Sequence, residues 1–472
     1  NSISRDKTLA QIYNAFYLKK LYKERLKSGK DSYSIDDLYS EDKISNKDIR
    51  DFDKSEQLKS TADNKRKNGM GDFDVSEMYL GVDVGEDFLT VALTENSEPV
   101  ATLTEPLSET SFERFCDTAI GIIADLAQEY EPKAICLTGI PGKIVYLAAD
   151  GRCVSDFLSV SEKTEYIRRV EQLCGLTLRK ENGLLAHFAN VDKALVPADA
   201  YTFSTVASYL SAALCDNKRP VFHTSEAFDV GFYSDELKDF DSRAVVKCSL
   251  ADLRYPEVTG SSSVVGYFGN IPVSVALGRN QARFLGSADR GGVLVELRKN
   301  EFVSYFASKS EKQPLGTIRL PLSGGYDLFV RRDSDAVKAY DALLSFVARV
   351  SVSVGGTENV ARTVGDLALS ALNETSLPKI RFEQGRLKLA ADFDGFTPDR
   401  LCAAFVKETA RRLCFVFKTP TKLILSGKSR IDCEAFRRSL SHVFGVDISS
   451  SDMTFAAAVG AARFAAEAVG GS

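Results

Sequence analysis

Tryptophan is absent from the 472 residues, and histidine and methionine each occur only three times. So few histidines leave little material for a His-based metal centre, and no metal site is expected. Nine cysteines are present, without close pairs and without a C-x-x-C, which argues against a zinc ribbon or a dithiol redox motif. Their odd number and apolar settings, such as Ala-Ile-Cys136-Leu, point to buried reduced thiols in a reducing compartment. No run approaches the ~18 consecutive apolar residues of a membrane-spanning helix. The longest small-apolar stretch, Phe455 to Ala465, is broken by Gly460 and Arg463. Membrane insertion is therefore not expected. An excess of positive charge is also missing: 60 Lys/Arg stand against 65 Asp/Glu, a net charge of −5. Such a chain is a poor nucleic-acid binder, except as one component of a ribonucleoprotein.

What is present is ordinary for a globular protein: 44 % hydrophobic and 26 % charged residues. The charge is uneven. Residues 1–70 carry 16 Lys/Arg and 12 Asp/Glu, so the remaining 402 residues hold a net −9. Leu9, Ile12, Tyr13, Phe16, Tyr17, Leu21 and Tyr22 recur at three-to-four spacing and predict an amphipathic helix over residues 1–30. Lys19, Lys20, Lys23, Arg25 and Lys27 crowd its later turns, where positive charge suits the helix dipole. Residues 31–77, rich in Asp, Ser, Lys and Asn, read as an extended arm.

From Met78 the texture changes. Met78-Tyr-Leu-Gly-Val-Asp83-Val-Gly85 predicts a strand ending in a turn, followed by strands at Phe88 to Thr94 and Val100 to Thr104. Helical spacing over residues 108–130 and an apolar run from Lys133 to Gly139 complete a β-β-β-α-β unit. Similar texture returns late: a helix at Ala403 to Val416, a strand Lys422-Leu-Ile-Leu-Ser426 with a turn at Gly427, and helices at Ile431 to Val443 and Ala456 to Val469. Two α/β lobes are the economical reading.

Several of these segments together resemble the FGGY carbohydrate kinases, within them the sedoheptulokinase-like branch. Leu80-Gly-Val-Asp83-Val-Gly85 is similar to the family's first phosphate loop. His223-Thr-Ser225-Glu-Ala227 and Tyr255-Pro256 follow in the family's order. Ile271-Pro-Val-Ser-Val-Ala-Leu-Gly278-Arg279-Asn-Gln281-Ala resembles its "PVxxalGDxQA" stretch, and Ser426-Gly427 its adenosine loop. The resemblance covers roughly residues 78–467. It implies an α/β, two-lobed actin/hexokinase/Hsp70-like (ribonuclease H-like) fold carrying an N-terminal helical extension. The expected organisation is an arm at 1–77, a first lobe at 78–287 and a second at 288–472.

The resemblance also shows where this chain departs from the pattern. The family's general base is the Asp after Gly278; here Arg279 stands in that place, and a guanidinium does not accept a proton at neutral pH. Arg279 reads either as a surface or interface cation or as a contact for an anionic ligand. Asp83 and Gly85 of the first phosphate loop remain, but Glu86-Asp87 replace the family's hydroxyl residues. The second phosphate loop has Arg298-Lys299 instead of Gly-Thr, side chains that would fill the space yet attract phosphate.

Residual nucleotide contacts are expected from Asp83, Gly85, Ser426 and Gly427, and anion contacts from Arg279, Arg298 and Lys299. The reading is a catalytically inactive, pseudokinase subunit of a multisubunit intracellular assembly, in the cytoplasm or an organelle matrix, without a cofactor. Its arm would meet protein partners through Tyr13, Phe16, Tyr17, Lys20 and Lys23. The alternatives are an active Mg·ATP-dependent carbohydrate kinase, with Asp289 or Asp252 as displaced base, and a non-catalytic sugar-phosphate or nucleotide sensor.

Overall fold

A computed structural model describes residues 77–107, 111–299, 301–309, 312–353, 360–383, 386–390, 397–414, 422–427, 434–451 and 454–470. The expected N-terminal helix and arm, with Tyr13, Phe16, Tyr17, Lys20 and Lys23, lie outside the described residues.

Two mixed sheets organise the described chain. The first contains β1 (Met78–Val84), β2 (Phe88–Glu95), β3 (Glu98–Pro106), β4 (Ala134–Gly139), β5 (Val264–Phe268) and β6 (Ile271–Ser274), in the order β5-β6-β4-β1-β2-β3, with the short β7 (Leu277–Gly278) also paired to β4. β1 and β2 form an antiparallel hairpin, and β1 and β4 run parallel, joined through helix α1 (Phe112–Tyr130). α1 starts where the sequence supplies a cap: the Ser111 hydroxyl accepts the Arg114 N–H. Its inward face is Phe112, Phe115, Ala119, Ile123 and Leu126, an apolar stripe at helical period. The strands are buried on both faces, so β1 and β4 read as continuous apolar runs.

The second sheet repeats the plan. β8 (Gly292–Leu297), β9 (Phe302–Ser308), β10 (Ile318–Pro321), β11 (Asp327–Asp333), β12 (Lys422–Ser426) and β13 (Ile448–Ser451) are ordered β10-β11-β9-β8-β12-β13. β8 pairs antiparallel with β9 and parallel with β12. Its helices are α5 (Asp335–Ser353), α6 (Val360–Ala371), α7 (Pro398–Cys414) and α8 (Glu434–Phe444). Val293, Val295, Phe302, Tyr340, Val364, Phe405 and Phe436 form the core beneath them.

A second core joins the two sheets through α4 (Arg279–Ser287) and α9 (Ala456–Ala468): Tyr79, Cys136, Phe284, Leu294, Tyr305 and Phe464 share it. The chain's last helix thus returns to β1 and α4. Its Ala-rich sequence has a steric cause. A Cβ on Gly460 would lie 1.7 Å from the Ala282 carbonyl oxygen, and one on Gly286 would lie 1.8 Å from that of Ala456. The two helix backbones touch where only hydrogen fits. All seven cysteines from Cys116 to Cys402 are free thiols. Among the described residues no helix is long and apolar enough to cross a membrane, and no cluster of three or more ligating side chains could hold a metal.

Candidate functional site

The site follows from strand register. Asp83 on β1 stands opposite Thr138 on β4, which stands opposite Leu277 on β7; one step along, Val84, Gly139 and Gly278 form the next row. The residue after Gly278 is Arg279, the first of α4. Residues 196 apart in sequence are thereby set side by side. Gly278 is required at this junction: a Cβ there would lie 2.9 Å from the Ser225 Cβ. Its N–H donates to the Ser225 hydroxyl at 2.8 Å. That residue belongs to the short α3 (Thr224–Val230), which follows α2 (Val206–Leu214) in the chain.

Arg279 closes on Asp83. Its Nε and Nη2 donate to Asp83 Oδ2 at 3.1 and 2.8 Å. The carboxylate side chain is 7 % exposed and the guanidinium 26 %. Burial pushes the Asp83 carboxyl up from its ordinary value, and Arg279 pulls it back. Arg283, one turn further along α4, also acts on Asp83 and reaches Glu296 on β8 at 3.8 Å. Glu296 in turn accepts Arg298 Nε at 2.7 Å and Nη2 at 2.5 Å. Arg298 also meets Glu301 at 3.3 Å and the Tyr305 hydroxyl at 3.0 Å. Cations and carboxylates alternate from β1 to β9, and each of these three arginines is answered by a carboxylate of the chain.

A cavity of about 480 Å³ lies beside the pair, lined by Gly85, Glu86, Asp87, Phe88, Thr90 and Arg279 among others. Gly85-Glu86-Asp87 is the hairpin turn between β1 and β2, where the Gly85 N–H donates to the Phe88 carbonyl at 2.8 Å. Glu86 forms an ion pair with Lys143. The structure thus brings Asp83, Gly85 and Arg279 together. Ser426 and Gly427 lie apart from that cavity, against the end of β8: Ser426 is in register with Glu296, and a Cβ on Gly427 would lie 2.7 Å from the Leu297 carbonyl oxygen. Arg298 is turned back onto Glu296, while Lys299 is exposed.

Magnesium-bound nucleotide fits this residue set poorly. Asp83 Oδ1 is buried without a hydrogen-bond partner among the described residues, but its other oxygen is held by a guanidinium, and Arg283 stands close. A divalent cation would meet those two positive charges. A polyphosphate beside the turn would meet the Glu86 and Asp87 side chains that line the cavity.

Sequence reasoning assigned no role to Glu226. It is buried on α3, beside Ser225, and burial pushes its carboxyl up to about 8 despite hydrogen bonds from Ser208 and Thr205. Thr205 Oγ1 lies 2.6 Å from one oxygen and Ser208 Oγ 2.5 Å from the other, and Ser208 Oγ is also 3.2 Å from the Val221 carbonyl. A protonated Glu226 satisfies every group in this chain: it donates to Ser208, which donates to Val221, while Thr205 donates to Glu226. His223, likewise buried, is pushed down to about 4 and stays neutral, with Nδ1 2.7 Å from the Ser225 hydroxyl. The available signal was a Glu inside the otherwise apolar and hydroxyl run His223-Thr-Ser-Glu-Ala-Phe. Asp156 accepts the Phe112 N–H at 3.3 Å, near the start of α1.

No family model and no curated protein matches the chain. Solved structures do match. The xylulose kinase from Bifidobacterium adolescentis superposes with a TM-score of 0.64 at 14 % identity, over 84 % of this chain and 94 % of that one. The xylulose kinase from Rhodospirillum rubrum gives 0.63 at 16 % identity, over 83 % and 89 %. The Plasmodium falciparum glycerol kinase with ADP gives 0.61 at 12 % identity, over 84 % and 91 %. The likeness establishes the fold. The chain has the two-lobed α/β architecture of carbohydrate kinases, as its motifs implied.

Proposed function

We propose that the chain is a catalytically inactive, carbohydrate-kinase-like protein that serves as a structural subunit of a larger intracellular assembly. The observation that supports this reading is the Arg279–Asp83 pair. At the place where the resemblance puts a general base, the chain presents a protonated guanidinium, and that guanidinium holds the carboxylate of the first loop. A positioned base contributes typically 10²–10⁴-fold to proton transfer.

Neither candidate for a displaced base lines the cavity beside Arg279. Asp289 is exposed beyond the far end of α4, roughly 15 Å from Arg279 by helix rise. Asp252 is exposed and its charge acts on the buried His187. The structural neighbours are described as xylulose and glycerol kinases, one solved with ADP, and they are the ground for the active-kinase alternative.

In this reading residues 1–77 dock on protein partners, with the apolar residues of the segment whose spacing predicts a helix as the contact and the rest as a tether. Two experiments test it. ADP release from Mg·ATP, measured with a panel of pentoses, hexoses, heptuloses and glycerol, should not exceed the protein-free rate; sugar-dependent release would overturn the inactive reading. In extracts of the source cells the full chain should migrate as a large assembly and a version lacking residues 1–77 as a monomer. Monomeric migration of the full chain would remove the subunit role.

A further inference from the structure

We propose that the second lobe carries a binding site for a small phosphorylated organic molecule, in the cavity between α7 and the strand Lys379–Glu383. That cavity measures about 730 Å³, within the range of small-molecule sites. Six of its lining residues are cations: Arg331, Lys379, Arg381, Lys407, Arg411 and Arg412. Among the described residues the carboxylate that lines it, Glu408, is taken up by Arg411 through hydrogen bonds of 2.7 and 2.8 Å. Arg412 is held by Asp333, at 2.8 and 3.2 Å. Arg331 donates to the Arg412 carbonyl oxygen at 3.0 Å, and burial, with Arg412 adding to it, pushes that guanidinium down from its ordinary value. Lys379, Arg381 and Lys407 make no ion pair among the described residues.

A cluster of positive charge in a chain of net charge −5 is not the average surface. Nor does it resemble the cleft, where arginines alternate with carboxylates. Gathering cations around a partly buried guanidinium costs electrostatic free energy that a bound anion removes. Arginine forks and lysine ammonium groups together suit phosphate oxygens. Leu377, Pro378, Ile380 and Ala404 give the same cavity an apolar wall for a carbon skeleton. A concave pocket with one such wall fits a compact phosphate ester better than an extended nucleic-acid backbone, which is followed by a stripe or groove.

The test uses the full chain with inorganic pyrophosphate and phenyl phosphate as probes, and sulfate at matched ionic strength as reference. Melting temperature should rise saturably with both phosphates and less with sulfate. Arg381→Glu/Lys407→Glu should weaken the apparent affinity about tenfold or more, as expected for losing charged hydrogen bonds. Arg381→Gln/Lys407→Gln should weaken it less, and its unliganded melting temperature should match the wild type because neither residue holds an ion pair among the described residues. Lys299→Glu, on the cleft hairpin, should leave the response unchanged. The proposal falls if neither phosphate raises the melting temperature, if sulfate does as well, if the double variants respond like the wild type, or if Lys299→Glu abolishes the effect. It falls equally if single-stranded RNA binds more tightly than the phosphates and is lost in the same double variants, since the surface would then serve a nucleic-acid backbone.

Discussion

From the middle of α4 to its C-terminal end, Ala282 and Gly286 lie against the backbone of α9 at Gly460 and Ala456. At its N-terminal end, Arg279 lies against Asp83. Nine residues of one helix therefore answer to two different physical demands. The C-terminal contact is steric, and the smallest residue types are the only ones that fit it. The N-terminal contact is electrostatic, made by two guanidinium N–H groups on one carboxylate oxygen. Close backbone approach fixes the packing of this helix, while the proposed loss of catalysis rests on the charge at its start.

The largest effect is expected at the steric end. Replacing a helical Gly by Ala ordinarily stabilises by about 1 kcal/mol. Gly460→Ala should do the opposite and cost about 3 kcal/mol or more, because the added carbon meets the Ala282 carbonyl oxygen. Denaturant unfolding measures this directly, and a more stable variant would break the steric half of the comparison.

At the electrostatic end, Arg279→Ala leaves a buried carboxylate unanswered. Removal of one partner from a fully buried pair costs about 3–5 kcal/mol. With a guanidinium 26 % exposed, about 2–3 kcal/mol is expected. Adding Asp83→Asn should return most of that loss, a coupling that a double-mutant cycle reads out. A single variant as stable as the wild type would mean that the pair contributes nothing.

An effect that is smaller per pH unit concerns the junction that supports α4 from α3. Glu226 has a folded value raised from 4.5 to about 8, so the folded protein holds a proton that the unfolded chain releases. Its contribution is full below about pH 4.5 and is lost as pH rises through 8, by up to about 1.4 kcal/mol per pH unit. His187 and His223, both pushed down to about 4, slope the other way between pH 4 and 6.5. The difference between wild type and Glu226→Gln isolates the carboxyl. Relative to wild type, the variant should gain stability from pH 5 to pH 8 in denaturant titrations; parallel pH profiles would show an ionised Glu226 in the fold.

Much of the framework was legible in the sequence because it is local. The apolar runs of β1 and β4, the turn at Gly85 and the Ala-rich α9 each reveal themselves within about ten residues. The order of motifs then implied the two-lobed fold. The site was legible as a set of residues but not as contacts. Arg279 reads from the sequence as a surface cation or an anion contact, because only the register of β1, β4 and β7 brings it to Asp83. Arg298 reads as a phosphate contact, whereas the structure ties it to Glu296. That pairing has a local signal, since residues two apart on an extended chain share a face. Glu226 was missed because its partners Thr205 and Ser208 sit on other elements, and a buried acid looks like any other Glu until its surroundings are known.

On the proposed reading Arg279 occupies the charge of Asp83 and leaves no place for a nucleotide-bound divalent cation. The most direct measurement is the melting temperature of the full chain with ATP, with and without magnesium. A ligand that binds only the native state must raise it. Magnesium should add nothing to any response to ATP. A magnesium-dependent rise of several degrees, lost in Asp83→Asn, would contradict it.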